Sequence, residues 1–179
     1  MNLIVTQGDT MDMINKESEE HQKLELLLSE IKVGMLTTMN SDQELKSRPM
    51  LAQHFDLNTN ELWFFTGHTS SKVMDIGKNP HVHLSFADAS DGSFLSICGV
   101  ARLDDDFEKK KRFWDTTLLA WFPEGLEDPN LSLLCVKMNS AEYWDSSSKF
   151  VELLGYTKAI LSGEQYNVDK SEHGRINLN

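Results

Sequence analysis

WFFTGHTSSKVMDIGKNPHVHLSFAD, residues 63–88, passes from an aromatic, β-rich run through six small or polar residues and a lysine into a short helical run. Asn79-Pro80 stops that helix, and HVHLSFA (81–87) alternates as a strand should. With Glu61 and Leu62 in front, ELWFFT (61–66) is the preceding strand. The stretch therefore predicts strand, short helix, strand.

Working outward, Leu24, Leu27, Leu28 and Ile31 keep helical spacing within Lys16 to Lys32, with acids in the first turns where the helix dipole favours them. VGMLTTM (33–39) and SRPMLAQHF (47–55) read as strands around the polar turn NSDQELK. The second sets Arg48, Met50, Ala52 and His54 on one face and Pro49, Leu51, Gln53 and Phe55 on the other. Pro49 has no N–H to give to a ladder, so it marks an edge, a bulge or backbone left open to something else.

Downstream, SFLSICGVARL (93–103) is a long strand able to pair antiparallel with 81–87. DDDFEKKKRFWDTTLLAWF is predicted as one helix, capped by Asp104 to Asp106, with Phe107, Trp114, Leu118 and Trp121 near one face. After the breaker PEGLEDPN, LSLLCVKM (131–138) is the sixth and last clear strand, with EYW just beyond. FVELLGYTKAIL (150–161) is expected to be helical and the tail from Ser162 irregular. Five strands linked by turns or one short helix, with a sixth after a longer helix, do not fit regular βαβ alternation. A mainly antiparallel β-barrel with peripheral helices fits better. The expected organisation is a loose arm over 1–15, one domain over 16–162 and a polar tail over 163–179.

The 179-residue chain carries 28 Asp+Glu against 17 Lys+Arg, a net charge of −11. That excess argues against nucleic acid or anionic membrane as partner, since both need a basic face. No run approaches a membrane span, and MNLIVTQGDT lacks a basic region followed by an apolar one, so a cytoplasmic location is expected. Cys98 and Cys135, 37 residues apart, form no metal or redox motif and are expected as buried thiols.

Any anion must then be held by a local cluster. Gly67 lets the backbone turn closely after Thr66; Ser70 and Ser71 stand at the helix start, where unpaired N–H groups and the dipole favour a phosphate, and Lys72 adds a charge. Arg48, on a neighbouring strand, could grip the same phosphate in bidentate fashion. Two readings stay open: a capped helix start beside unrelated surface cations, and an anion site. A lysine in the first turn opposes the dipole unless an anion is present.

Other groups point to ordinary roles. His81 and His83 share a strand face without a third ligand nearby, the three aspartates suit capping, and Trp114, Trp121, Phe122 and Trp144 suit core or interface anchors, although an aromatic wall also suits a planar ring. Hydrolase chemistry finds no Gly-x-Ser-x-Gly elbow.

The opening stretch closely resembles the strand–loop–helix–strand of the pyridoxamine 5′-phosphate oxidase-like flavoproteins, in its aromatic-Thr run, Ser-x-Lys step and Asn-Pro. SRPM (47–50), FWDTTLLAWFPEGLEDPNLSLLCV (113–136), AEYWD (141–145) and EHGRINL (172–178) resemble the bacterial general stress proteins of that superfamily. The resemblance implies a split β-barrel forming a homodimer, with one FMN in each of two interface clefts. It implies that Arg48, Ser71 and Lys72 bind the FMN phosphate, with Thr66 and Ser70 close to it. Pro49, Met50 and their neighbours would offer open strand backbone to the flavin ring, and Phe65, with Trp63 nearby, would flank the ribityl chain or ring.

Two departures matter. Gln53 stands where true pyridoxamine phosphate oxidases carry a second phosphate-binding lysine, and the end, YNVDKSEHGRINLN, lacks their Arg-rich, Trp-bearing substrate segment. The expectation is a dimeric FMN-binding stress protein, either an oxidoreductase, with NADH or NADPH as candidate electron donors, or a flavin carrier. The alternatives are a non-enzymatic interaction protein on the same barrel, or an oxidase-type enzyme using another substrate or cofactor, such as a deazaflavin or haem. No side chain stands out as a catalytic acid, base or nucleophile, and no metal is expected.

Overall fold

The computed structural model describes residues 20–145 and 173–178. The expected arm at 1–15 and helix at 150–161 lie outside the described residues. Helix α1 (20–30) is followed by β1 (Val33–Met39), β2 (Leu45–Asp56), β3 (Glu61–Gly67), α2 (Ser71–Lys78), β4 (His81–Asp88), β5 (Ser93–Asp104), α3 (Phe107–Phe113), β6 (Leu131–Asp145) and β7 (His173–Asn177). The sheet runs β3-β2-β1-β4-β5-β6-β7, and β3 also pairs with β6, so strands β1 to β6 close into the expected six-stranded barrel. Every pairing is antiparallel, that of β4 with β5 included.

Alternation explains the core. Leu36 of β1, Leu84 and Phe86 of β4, Leu95 and Ile97 of β5, and Leu134 and Val136 of β6 point into the barrel, where α1 adds Leu24, Leu27 and Leu28 and α2 adds Ile76. Strand β3 is buried on both faces, which is why its run is continuously apolar: Leu62 and Phe64 face the barrel, while Trp63 and Phe65 face a second cluster with Leu118, Phe122, Leu133 and Cys135.

Four expectations need correction. The segment 104–122 is not one helix: α3 ends at Phe113, Trp114 is extended, and a 3-10 turn restarts at Thr116–Ala120 because the Asp115 carboxylate accepts from Thr117 N–H, a cap inside the expected helix. Strand β6 continues to Asp145, because a register shift around Asn139 moves the inward positions from Val136 and Met138 to Ala141 and breaks the alternation there. The tail is not wholly irregular: His173–Asn177 pairs with the far half of β6, and only Ile176 of that strand is buried, so its pattern reads as polar. Cys98, on the outer side of β5, is exposed; Cys135 is buried, and burial pushes its thiol up to about 12.

Strand β7 belongs to the folded unit. Ile176→Ala removes a side chain that is 0% exposed and is expected to cost roughly 2–5 kcal/mol. Arg175→Ala removes only an exposed ion pair with Glu142 at 3.9 Å and should stay within about 0.5 kcal/mol. Urea denaturation of the full chain measures both.

Candidate functional site

Strand β3 ends at Gly67 and α2 starts at Ser71, with Ser70 at the N-cap position. Two readings of this junction are open, a capped helix start and an anion site, and its hydroxyls bear on both. Ser70 makes no side-chain capping bond, and Ser70 Oγ and Thr66 Oγ1 are buried with no hydrogen-bond partner among the described residues. Two other helix starts are capped, Asp106 accepting from Lys109 N–H and Asp115 from Thr117 N–H, whereas the short 3-10 turn Gly125–Glu127 has no side-chain cap. A buried hydroxyl left unpaired costs about 1–3 kcal/mol, so two beside one helix start mark a place with a missing acceptor.

Its cations agree. Lys72 lies in the first turn of α2, a turn without acid, and forms no ion pair among the described residues. Burial lowers its pKa, and the Arg48 charge lowers it further, so the two cations share one region. An anion between them would offset the downward shift by favouring the charged form of each.

Arg48 is held from beneath. Its Nη1 donates to Thr38 Oγ1 at 2.7 Å and to Leu36 O at 3.3 Å, and its Nη2 stands 3.7 Å from Asp75 Oδ2. Thr38 Oγ1 in turn donates to Asp75 Oδ2 at 2.9 Å, and Thr38 is buried. Burial lowers the Arg48 pKa and Asp75 opposes that shift. The guanidinium is therefore anchored through part of its donor set, beside the start of α2.

A cleft of about 440 Å³ opens from this cluster. Lys72, Thr66 and Gly67 line it together with Phe65 of β3 and Pro49, Met50, Leu51 and Gln53 of β2. Leu118, Trp121 and Phe122 form a third wall. The cleft exists because the barrel is split there: β2 pairs with β1 from Leu45 to Leu51, but with β3 only from Ala52 onward, after which the register shifts. Between Pro49–Leu51 and Phe65–Gly67 the two strands diverge, and β2 presents an edge on that side. Such a lining suits a ligand with an anionic end and an apolar body. Two other depressions, each about 620 Å³, contain neither Thr66 nor Lys72.

Of the residues named from sequence, Pro49, Met50, Phe65, Thr66 and Lys72 meet in this cleft, Ser70 and Ser71 stand at the adjoining helix start, and Arg48 does not line the cleft, its guanidinium being held by Leu36, Thr38 and Asp75. Trp63 does not line it: Phe113 lies 5.7 Å from its ring, and the Arg102 guanidinium and Lys109 Nζ cover it at 5.3 and 4.9 Å. Of the three aspartates expected to cap α3, Asp106 does so, while Asp104 Oδ2 accepts from Lys109 Nζ at 2.5 Å and Asp105 Oδ1 from Ser132 Oγ at 2.8 Å. His83 shares a hydrogen bond of 2.9 Å with Ser96 Oγ, and no metal-binding group of three or more ligands occurs among the described residues. Sequence reasoning missed Thr38 and Asp75 as the anchors of Arg48, because only strand register and helix docking bring them together.

The chain is 28% identical over 149 residues to Protein bli-3 of Neurospora crassa, covering 78% of this chain and 71% of that one. It is 28% identical over 131 residues to General stress protein 26 of Bacillus subtilis, covering 72% and 90% respectively. The solved structure of the general stress FMN/FAD binding protein from Xanthomonas citri superposes with a TM-score of 0.65 at 28% identity, over 74% of this chain and 93% of that one. The profile of the family described as Pyridoxamine 5′-phosphate oxidase like matches residues 19–167, which takes in the barrel, the split between β2 and β3 and the whole cation cluster. A match over most of its length, on a barrel whose split holds the cluster, makes this chain a member of the pyridoxamine 5′-phosphate oxidase-like family.

Proposed function

We propose that the protein is an FMN-binding general stress protein, a homodimer holding one FMN in each of two interface clefts, that acts as a flavin-dependent oxidoreductase or a flavin carrier. The observation that carries this reading is the pair of buried, unpartnered hydroxyls, Thr66 Oγ1 and Ser70 Oγ, where Thr66 and Lys72 line a largely apolar cleft and Ser70 stands at the adjoining helix start. Arg48, Ser71 and Lys72 bind the phosphate with these hydroxyls. Met50 and its neighbours offer the open edge of β2 to the ring, and Phe65 flanks the ribityl chain. Bound FMN supplies the redox chemistry; the chain's share is to orient it and limit water access. Gln53 lines the cleft without charge, which supports a partner other than a phosphorylated vitamin, with NADH or NADPH as candidate electron donors.

The dimer reading rests on the outer face of four barrel strands. Val33, Met35 and Thr37 of β1, Leu45, Ser47, Pro49 and Leu51 of β2, His83, Ser85 and Ala87 of β4, and Phe94, Ser96 and Cys98 of β5 form it, in the register of the sheet. None is Asp, Glu, Lys or Arg, in a chain with 28 acidic and 17 basic residues. Val33 is 54% exposed, Leu45 69% and Phe94 42%. Such a patch fits a partner of the same kind. Val33, Pro49 and Leu51 belong both to this face and to the cleft, so a second copy seated here would close the cleft.

Titration with FMN at several pH values tests the reading. Saturable quenching of flavin fluorescence at one FMN per chain is expected. Affinity should fall as pH rises through the depressed pKa of Lys72, because only the protonated amine pairs with phosphate, and Lys72→Met should lack that inflection. A chain that neither retains nor quenches FMN overturns it.

A further inference from the structure

The junction between β3 and α2 is gripped by one residue from elsewhere in the chain. Asn130, immediately before β6, accepts at its backbone oxygen from His68 N–H at 2.7 Å, and at Oδ1 from both Thr69 N–H and the Thr69 hydroxyl at 3.1 Å. At Gly67 the fit is close: a Cβ there would lie 2.9 Å from Asn130 Nδ2, and its three nearest atoms would all belong to Asn130. Asn130 is itself set by a turn, in which Asp128 Oδ1 accepts from Asn130 N–H at 2.9 Å and Asp128 O from Leu131 N–H at 2.9 Å. Pro129 stiffens that turn between the two.

This bracket takes up the donors of His68 and Thr69, in the middle of the junction. The hydroxyls of Thr66 and Ser70, on either side, stay without partners among the described residues. Asn130 is exposed and does not line the cleft. We infer that Asn130 is a positioning residue for phosphate recognition: it holds the 67–70 junction so that Thr66, Ser70 and Lys72 converge before the ligand arrives. The inference rests on the FMN reading above and deepens it. A pre-set loop loses less freedom on binding, and the gain applies only to the phosphate end of the ligand.

The test compares FMN with riboflavin, which lacks the phosphate, on the full chain. Asn130→Ala should weaken FMN binding at least tenfold while changing riboflavin binding less than threefold. Amide exchange at His68 and Thr69 in the ligand-free protein should speed up. Gly67→Ala, which pushes the Asn130 side chain away, should reproduce the FMN loss, yet add less than threefold in the Asn130→Ala background, because the atoms its methyl meets are then gone. Asn130→Ala with FMN affinity within threefold of wild type overturns the inference, as does an equal loss of both flavins, the mark of a general structural role. The two readings separate cleanly. A wild-type chain that binds no FMN removes both, whereas wild-type binding that Arg48→Ala/Lys72→Ala abolishes and Asn130→Ala leaves intact removes the positioning role alone.

Discussion

Replacing Arg48 and Lys72 together with alanine is expected to weaken FMN binding by two or more orders of magnitude while leaving the barrel folded and its oligomeric state unchanged. Each charge-assisted contact to a phosphate contributes roughly 1.5–3 kcal/mol, and about 1.4 kcal/mol is a factor of ten in affinity. The pair therefore spans a loss of at least a hundredfold. Riboflavin, without the phosphate, should bind wild type and variant alike. Arg48→Ala also leaves the Asp75 carboxylate with Thr38 as its remaining side-chain partner among the described residues, where the Asp75 side chain is 13% exposed, so some loss of stability accompanies it. Adding Asp75→Asn should recover that stability without restoring FMN affinity, which separates the structural from the binding effect. The same difference appears in melting: FMN raises the Tm of wild type by mass action and leaves that of the double variant nearly unmoved. FMN affinity within a few-fold of wild type in the double variant would place the phosphate elsewhere.

The parts of this site that were legible in the sequence are those that lie together in it. Thr66, Ser70, Ser71 and Lys72 fall within seven positions, 66–72, and a strand-to-helix junction can be recognised from its neighbours, so grouping these hydroxyls with the lysine needed no tertiary information. Its decisive property did need it: a hydroxyl at an N-cap is indistinguishable in sequence from one that caps, and only the placed Ser70 Oγ shows no bond. Trp63 and Phe65 share a face of β3 at a spacing of two, and sequence treats them alike. The packing of α3 separates them, since Phe113 and Lys109 cover Trp63 while Phe65 reaches the cleft. The bend at Trp114–Asp115 was hidden because an aspartate that caps a second turn looks, in a periodic pattern, like a polar position on one helix. Strand β7 was hidden because a short strand on one half of β6 buries a single apolar residue of its own.

Met35→Glu is expected to turn the proposed dimer into a monomer at micromolar concentration and to weaken FMN binding with it. Met35 is 40% exposed at the middle of the uncharged face, paired with Pro49 on one side and Ser85 on the other, and it does not line the cleft. A two-fold interface meets every substitution twice, so two carboxylates enter an apolar contact without cations to receive them. An unpaired charge left buried costs roughly 3–5 kcal/mol, and two such charges exceed what a nanomolar dimer can absorb before dissociating in the micromolar range. Loss of FMN follows because Val33, Pro49 and Leu51 serve both the face and the cleft, and a monomer leaves the cleft open on that side. The dependence is reciprocal: with two FMN per dimer, saturating FMN should tighten the dimer by the square of the factor by which dimerisation tightens each FMN. Light scattering with and without FMN, across a dilution series, reads both quantities. The two variants thus fail in different ways, Arg48→Ala/Lys72→Ala remaining a dimer without FMN and Met35→Glu losing FMN through its oligomeric state. A Met35→Glu chain that stays dimeric and binds FMN as wild type does would move the interface to another face and leave the phosphate site standing by itself.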